Sequence, residues 1–216
     1  MKRLLGAIEM IKQSSIAALQ DVTYVRNIIR FAGLYGNDFK TYNSESIYGC
    51  NDEFGVWQEP TQSAQFLIYT SSLKPKSLIE IGSHNGCWAA LMTAYFLRFN
   101  QEFQAVSVDI LPSVKIQVDL PLRFEICSSD QFKDSRFDVA FIDGGREYQT
   151  VLGHYMNVGK KANVCAFHDI NCKHAPDIIK LWDELKQNNF TVEFIFHPGD
   201  DRMMGIGIIE NRVKIF

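Results

Sequence analysis

Along the first 34 or so residues, apolar side chains return every third or fourth position. Leu5, Ile8 and Ile11 make one stripe; Val25, Ile28, Ile29 and Ala32 make another, which Asp21 can cap. This spacing predicts two helices, the second ended by "GLYGND". From 35 to 60 the periodicity is lost. "YGNDFKTYNSESIYGCNDEFGVWQEP" is polar, turn-rich and aromatic, which predicts an ordered irregular segment able to cover a site, with Tyr48, Phe54 and Trp57 either forming its lid or packing helices on a core. A third helix runs from Thr61 to about Ser72 and stops at "KPK".

Beyond it the pattern changes to short apolar runs: "SLIEIG", "FQAVSVDI", "RFEIC", "FDVAFID", "NVCAFHD", "TVEFIFH" and "MGIGIIE". Helical stretches at 87–98, 146–157 and 175–187 separate several of them. Strands alternating with helices predict right-handed crossovers and an α/β fold, a doubly wound, mainly parallel sheet of seven strands covered on both faces. No helix lies between the last two runs, so they form an antiparallel pair at one edge. The expected organisation is a single domain in which residues 1–60 supply N-terminal helices and a lid and residues 61–216 the sheet.

Composition narrows the chemistry. With 22 basic and 25 acidic residues in 216, a net charge of -3, there is no electrostatic footprint for nucleic acid or an anionic membrane. No run is long enough to span a bilayer, and the basic N-terminus is interrupted by Glu9 and Lys12 with no small-residue cleavage site after it, so a cytoplasmic protein is expected. The five cysteines are odd in number and irregularly spaced, which fits reduced thiols. The first helical stripe leaves two uses open, intramolecular packing or the seam of a homodimer. Small-molecule chemistry fits the charge balance best.

In a doubly wound sheet, ligands sit at the carboxyl ends of the strands. "EIGSHNG" puts Glu80 and Gly82 at the first such end, with Gly86 opening the next helix; two residues lacking Cβ let the backbone approach a ligand closely. The spacing is not that of a pyrophosphate cradle, and an acid beside the loop would repel phosphate but suit a cationic ligand. Asp109 ends the next strand about twenty residues on, where a ribose diol is held. After the third strand, Ser128, Ser129 or Asp130 could meet an adenine edge.

With Glu80, Gly82, Gly86 and Asp109 in this order, the chain resembles the class I S-adenosylmethionine-dependent methyltransferases, whose Rossmann-like fold carries an acid-x-Gly loop and an acid at the end of the second strand. The resemblance implies that Glu80 and the loop from Gly82 through Ser83 to Gly86 lie near the methionine part. Asp109, with Ile110 beside it, would hold the ribose, and Ser128, Ser129 and Asp143 complete the implied cofactor set.

Asp143 and Asp169 end the fourth and fifth strands, so their carboxylates converge on one rim, to bind a divalent cation, to deprotonate a nucleophile or to orient a helix end. "IDGGREY" and "HD", followed by "LWDEL", resemble a methyltransferase subgroup that acts on sugars, polyketide glycosides and other small products. The resemblance implies O-methylation. Metal-dependent catechol-type relatives place an Asn directly after the second acid; here Ile170 stands there and Asn171 follows, so the implied ligands of a magnesium ion are Asp143, Asp169 and Asn171.

The implied catalytic set is Asp143, His168, Asp169 and Arg146. Arg146 replaces the subgroup's usual His and stays protonated, so it is a clamp for an anionic substrate group or an ion-pair partner of Glu147 or Glu59, not a base. His168 precedes the strand-end acid, and strand alternation would aim it at the opposite face. A zinc reading of Cys165, His168, Cys172 and His174 founders on Cys165 lying inside a buried strand. The competing function is a binding module that holds the cofactor without transfer; a nicotinamide oxidoreductase fits the loop spacing worst.

Overall fold

The computed structural model describes residues 1–33, 55–114, 116–195 and 204–212. Two helices, α1 (Lys2–Gln13) and α2 (Val22–Ala32), open the chain, and Asp21 caps the second by accepting from the Tyr24 amide at 2.7 Å. Then follow α3 (Pro60–Ser71), β1 (Ser77–Ile81), α4 (Cys87–Leu97), β2 (Gln104–Asp109), β3 (Leu122–Ile126), β4 (Val139–Ile142), α5 (Tyr148–Asn157), β5 (Val164–His168), α6 (Pro176–Leu185), β6 (Thr191–Phe194) and β7 (Ile206–Glu210). Pro60 at the first turn of α3 and Pro176 at that of α6 sit where a missing N–H costs nothing.

The seven strands form one sheet in the order β3-β2-β1-β4-β5-β7-β6. All pairings are parallel except those of β7, which runs antiparallel to both β5 and β6. The antiparallel pair does close one edge, but the later strand lies inside: β7 is inserted beside β5, and β6 is outermost.

Side-chain alternation divides the core in two. Leu78, Ala105, Val139, Phe141, Val164 and Ala166 face α1 to α4, whereas Ile79, Val106, Ala140, Ile142, Cys165 and Phe167 face α5 and α6. Helix α4 is apolar all round, with ten of its eleven residues buried, because the sheet lies on one side and the N-terminal helices on the other. Those helices are tied down by polar contacts as well. Tyr95 donates from its hydroxyl to the Leu19 carbonyl at 2.5 Å, and Arg98 Nη2 donates to Ser14 O at 2.8 Å.

Strand order reverses between β1 and β4, which makes their carboxyl ends the switch point where a doubly wound sheet opens a crevice. On the face toward α1 to α4, the alternation that buries Leu78, Ala105, Phe141 and Ala166 continues at the rim into Glu80, Ser107, Asp143 and His168. One polar row therefore runs across four adjacent strands. Among the described residues, no helix is long and apolar enough to cross a membrane.

Candidate active site

The loop after β1 is built around two left-handed glycines, Gly82 at φ 99° and Gly86 at φ 82°. At Gly82 the constraint is steric as well as torsional, since a Cβ would stand 2.6 Å from the Asp143 carbonyl oxygen. The first loop is thereby pressed against the end of β4. Gly86 N-caps α4, and the Asn85 carboxamide holds the turn by accepting from the Cys87 amide and donating to Gly55 O, each at 2.9 Å.

Glu80 is only 1% exposed. Burial pushes its carboxyl well above the usual range, the Ser107 hydroxyl opposes that shift, and Asp143 and Asp109 add to it. Ser107 Oγ bridges Glu80 Oε2 and Ser83 Oγ. Asp109, half-buried, accepts from the His84 amide at 2.9 Å and the Leu111 amide at 3.1 Å, one on each oxygen. Beside it Ile110 is exposed. Ser129 turns inward: its hydroxyl meets His154 Nδ1 at 2.8 Å and accepts from Asn157 at 3.0 Å, which leaves Ser128 and Asp130 on the outer side of that turn.

Asp143, His168 and Asp169 come together. Their donor atoms all lie within 4.8 Å of one another. His168 Nδ1 is 3.0 Å from Asp143 Oδ1 and 3.4 Å from Asp169 Oδ1. Strand alternation alone would have sent His168 and Asp169 to opposite faces. Asp169 instead adopts the left-handed conformation, φ 64°, and this turn brings its carboxylate to the face that His168 and Asp143 already share by alternation. Burial alone would lower the His168 pKa, but the facing carboxylates of Asp143 and Asp169 outweigh it and raise the imidazole to about 9. Burial raises the Asp169 carboxyl, and burial together with Asp169 keeps the Cys172 thiol protonated.

The segment before α3 stands over this cluster. Gln58 Nε2 donates to Asp143 Oδ2 at 2.6 Å, and the Trp57 ring meets the His84 ring edge-on, with centroids 5.3 Å apart. Glu59 caps α3 through the Gln62 amide at 2.7 Å. The Gln62 carboxamide in turn accepts from Gly205 N at 2.8 Å and donates to Ile195 O at 3.2 Å, so the start of β7 and the end of β6 are gathered at the same rim. Tyr48 and Phe54 lie outside the described residues.

Arg146 is exposed and makes no ion pair within 4.0 Å among the described residues, though its charge reaches His168 and Asp169. Asn171 binds by its backbone to Met204 O at 2.8 Å. The zinc constellation is not assembled, because Cys165 faces α5 and α6 while His168 lies on the other side of the sheet. Gln58, Gln62, Asn85 and Ser107 were missed as site residues. "GVWQEP" drew attention for its tryptophan, yet the glutamine beside it carries the contact to β4.

No protein-family model and no curated protein matches the sequence. Solved structures do. The O-methyltransferase NovP aligns with a TM-score of 0.55 and 14% identity, covering 89% of this chain and 100% of that one. PaMTH1, a methyltransferase of Podospora anserina solved with S-adenosylhomocysteine (SAH), aligns at 0.52 and 14% over 97% and 94% of the two chains. An O-methyltransferase from Bacillus cereus, also in complex with SAH, aligns at 0.50 and 12% over 92% of each. At such identities the likeness establishes architecture: the chain has the seven-stranded Rossmann-like fold of these methyltransferases.

Proposed function

We propose that the protein is an S-adenosylmethionine-dependent methyltransferase that methylates a hydroxyl of a small molecule or sugar. The observation that carries this reading is the joint at the switch point, where the Gly82 cradle closes on Asp143 between two acids, buried Glu80 and the β2-end Asp109. A buried carboxylate whose hydrogen bond comes from a hydroxyl is costly to ionise, and a cationic ligand relieves that cost. A sulfonium nucleoside with a free amine has that charge and the diol that Asp109 suits.

When bound, the cofactor supplies a methyl group on a positively charged sulfur. The rest falls to this chain. Glu80 and the loop from Gly82 to Gly86 position the donor, Asp109 fixes the ribose, and the segment carrying Trp57 and Gln58 excludes water from the rim. As the methyl passes to the acceptor oxygen, the hydroxyl's proton would leave to a carboxylate oxygen of the Asp143 and Asp169 pair. The same two acids are the ones that would hold a divalent cation, which would lower the hydroxyl's pKa. Arg146, which pairs with no acid among the described residues, would meet a carboxylate or phosphate on the acceptor.

The test is transfer of labelled methyl from S-adenosylmethionine to a panel of hydroxylated acceptors, sugars and glycosides included. Turnover that falls about a hundredfold or more in Asp143→Asn supports the reading. Turnover confined to amine or thiol acceptors contradicts it.

A further inference from the structure

The cluster at the ends of β4 and β5 contains a donor that an all-oxygen magnesium site does not use. His168 is 5% exposed, and neither ring nitrogen meets hydrogen-bond geometry; its Nδ1 faces Asp143 and Asp169 as charge contacts. Asp169 is 6% exposed, and its Oδ1 likewise has no hydrogen-bond partner. Buried polar atoms left in this state are costly unless something binds them.

Their spacing suits one ion. For metal–ligand bonds of about 2.1 Å, adjacent donors are about 3.0 Å apart in an octahedron and about 3.4 Å apart in a tetrahedron. His168 Nδ1 stands at 3.0 and 3.4 Å from the two carboxylate oxygens. The residue directly after Asp169 cannot add a side-chain oxygen, because it is Ile170, 4% exposed and packed in the core toward α5 and α6. Gln58 holds the other oxygen of Asp143, so Oδ1 is the oxygen left to face the imidazole.

We propose that Asp143, His168 and Asp169 form an N,O,O site for a first-row transition-metal dication such as manganese, iron(II) or zinc, in preference to magnesium. Magnesium is a hard ion that takes oxygen donors and keeps its waters, whereas an imidazole nitrogen suits the later dications. Three protein ligands on one side leave the remaining positions open for water or an acceptor oxygen, the arrangement of a catalytic metal centre. The site shares residues with the acceptor region proposed above and so rests on that reading for its role, but not for its existence.

The experiment uses full-length, untagged, metal-stripped protein titrated with manganese, zinc and magnesium chlorides by calorimetry, with electron spin echo spectroscopy of the manganese form. One ion per chain is expected, zinc and manganese each binding at least tenfold more tightly than magnesium, with nitrogen modulation in the manganese echo. His168→Ala should weaken zinc and manganese at least tenfold, leave magnesium within about threefold and abolish the nitrogen signal. His168→Asn, which keeps a polar side chain, and circular dichroism of both variants separate ligand loss from misfolding. Binding of no metal, equal affinities for magnesium and manganese, or unchanged zinc affinity in folded His168→Ala would overturn the assignment. S-adenosylmethionine binding measured separately in chelator reports on the function proposed above, so the two readings fail independently.

Discussion

Gln58 and Asp143, far apart in sequence, meet through a 2.6 Å hydrogen bond that joins the segment before α3 to the end of β4. A hydrogen bond to a charged acceptor contributes about 1.5–3 kcal/mol. Gln58→Ala is expected to lower kcat/KM about tenfold or more while changing S-adenosylmethionine affinity by less than about threefold, since the contact lies on the side proposed for the acceptor. Gln58→Glu, which sets a second carboxylate against Asp143, should be worse than Ala. Steady-state kinetics with calorimetry on the three proteins checks the order.

Two glycines should respond oppositely to a methyl group. At Gly82 an alanine Cβ would collide with backbone 2.6 Å away at a left-handed φ of 99°. The torsional penalty and the overpacking together predict a loss of about 2–5 kcal/mol. Gly153, in the middle of α5, has nothing within 4 Å of the added carbon and no positive φ. Gly153→Ala should gain about 0.5–1 kcal/mol. Urea denaturation of both variants measures the contrast.

His154 and His168 should tilt the pH dependence of stability in opposite senses. Burial lowers the His154 pKa, so the unfolded chain binds its proton more readily; the contribution is present above about pH 6.5 and falls away as the pH drops below it. His168 in metal-free protein is raised to about 9 by its two carboxylates. Its contribution is full below about pH 6.5 and is lost as the pH rises through 9. Urea midpoints between pH 5 and 9.5 in chelator should lose the acid-side decline in His154→Gln and the alkaline-side decline in His168→Gln. A wild-type profile unaltered by either substitution contradicts these assignments.

Arg146 is exposed and makes no ion pair among the described residues. Arg146→Ala should therefore change stability by no more than about 0.5 kcal/mol. For acceptors that bear a carboxylate or phosphate, KM should rise about tenfold, more so at low salt, with neutral acceptors unaffected. Lys at this position should restore part of the effect.

Much of this site is legible in one dimension because it is punctuated by backbone need. Gly82 and Gly86 announce a sharp turn, Asp21 announces a helix start, and apolar runs ending in Asp109, Asp143 and Asp169 announce strand rims. What stays hidden depends on partners far away in the chain. Nothing beside Gln58 or Gln62 in sequence says that one will reach β4 and the other the start of β7. Ser107 reads as a small residue inside a strand until β1 lies next to it and Glu80 meets it. Asp169 is the instructive case. Alternation is a sound rule for regular strand and does place His168 beside Asp143, but it stops applying where the strand ends, because Asp169 turns left-handed and brings its carboxylate to the same face. The insertion of β7 beside β5 was equally out of reach, since the apolar runs fix which strands pair only loosely.

The central claim is that the crevice at the switch point holds a sulfonium nucleoside, and binding calorimetry tests it most directly. Wild-type protein should bind one S-adenosylmethionine or S-adenosylhomocysteine per chain, and Asp109→Asn, which keeps one carbonyl oxygen for the loop amides, should weaken both at least tenfold while remaining folded. No heat with either ligand in folded wild-type protein, or equal affinity in the variant, would contradict it.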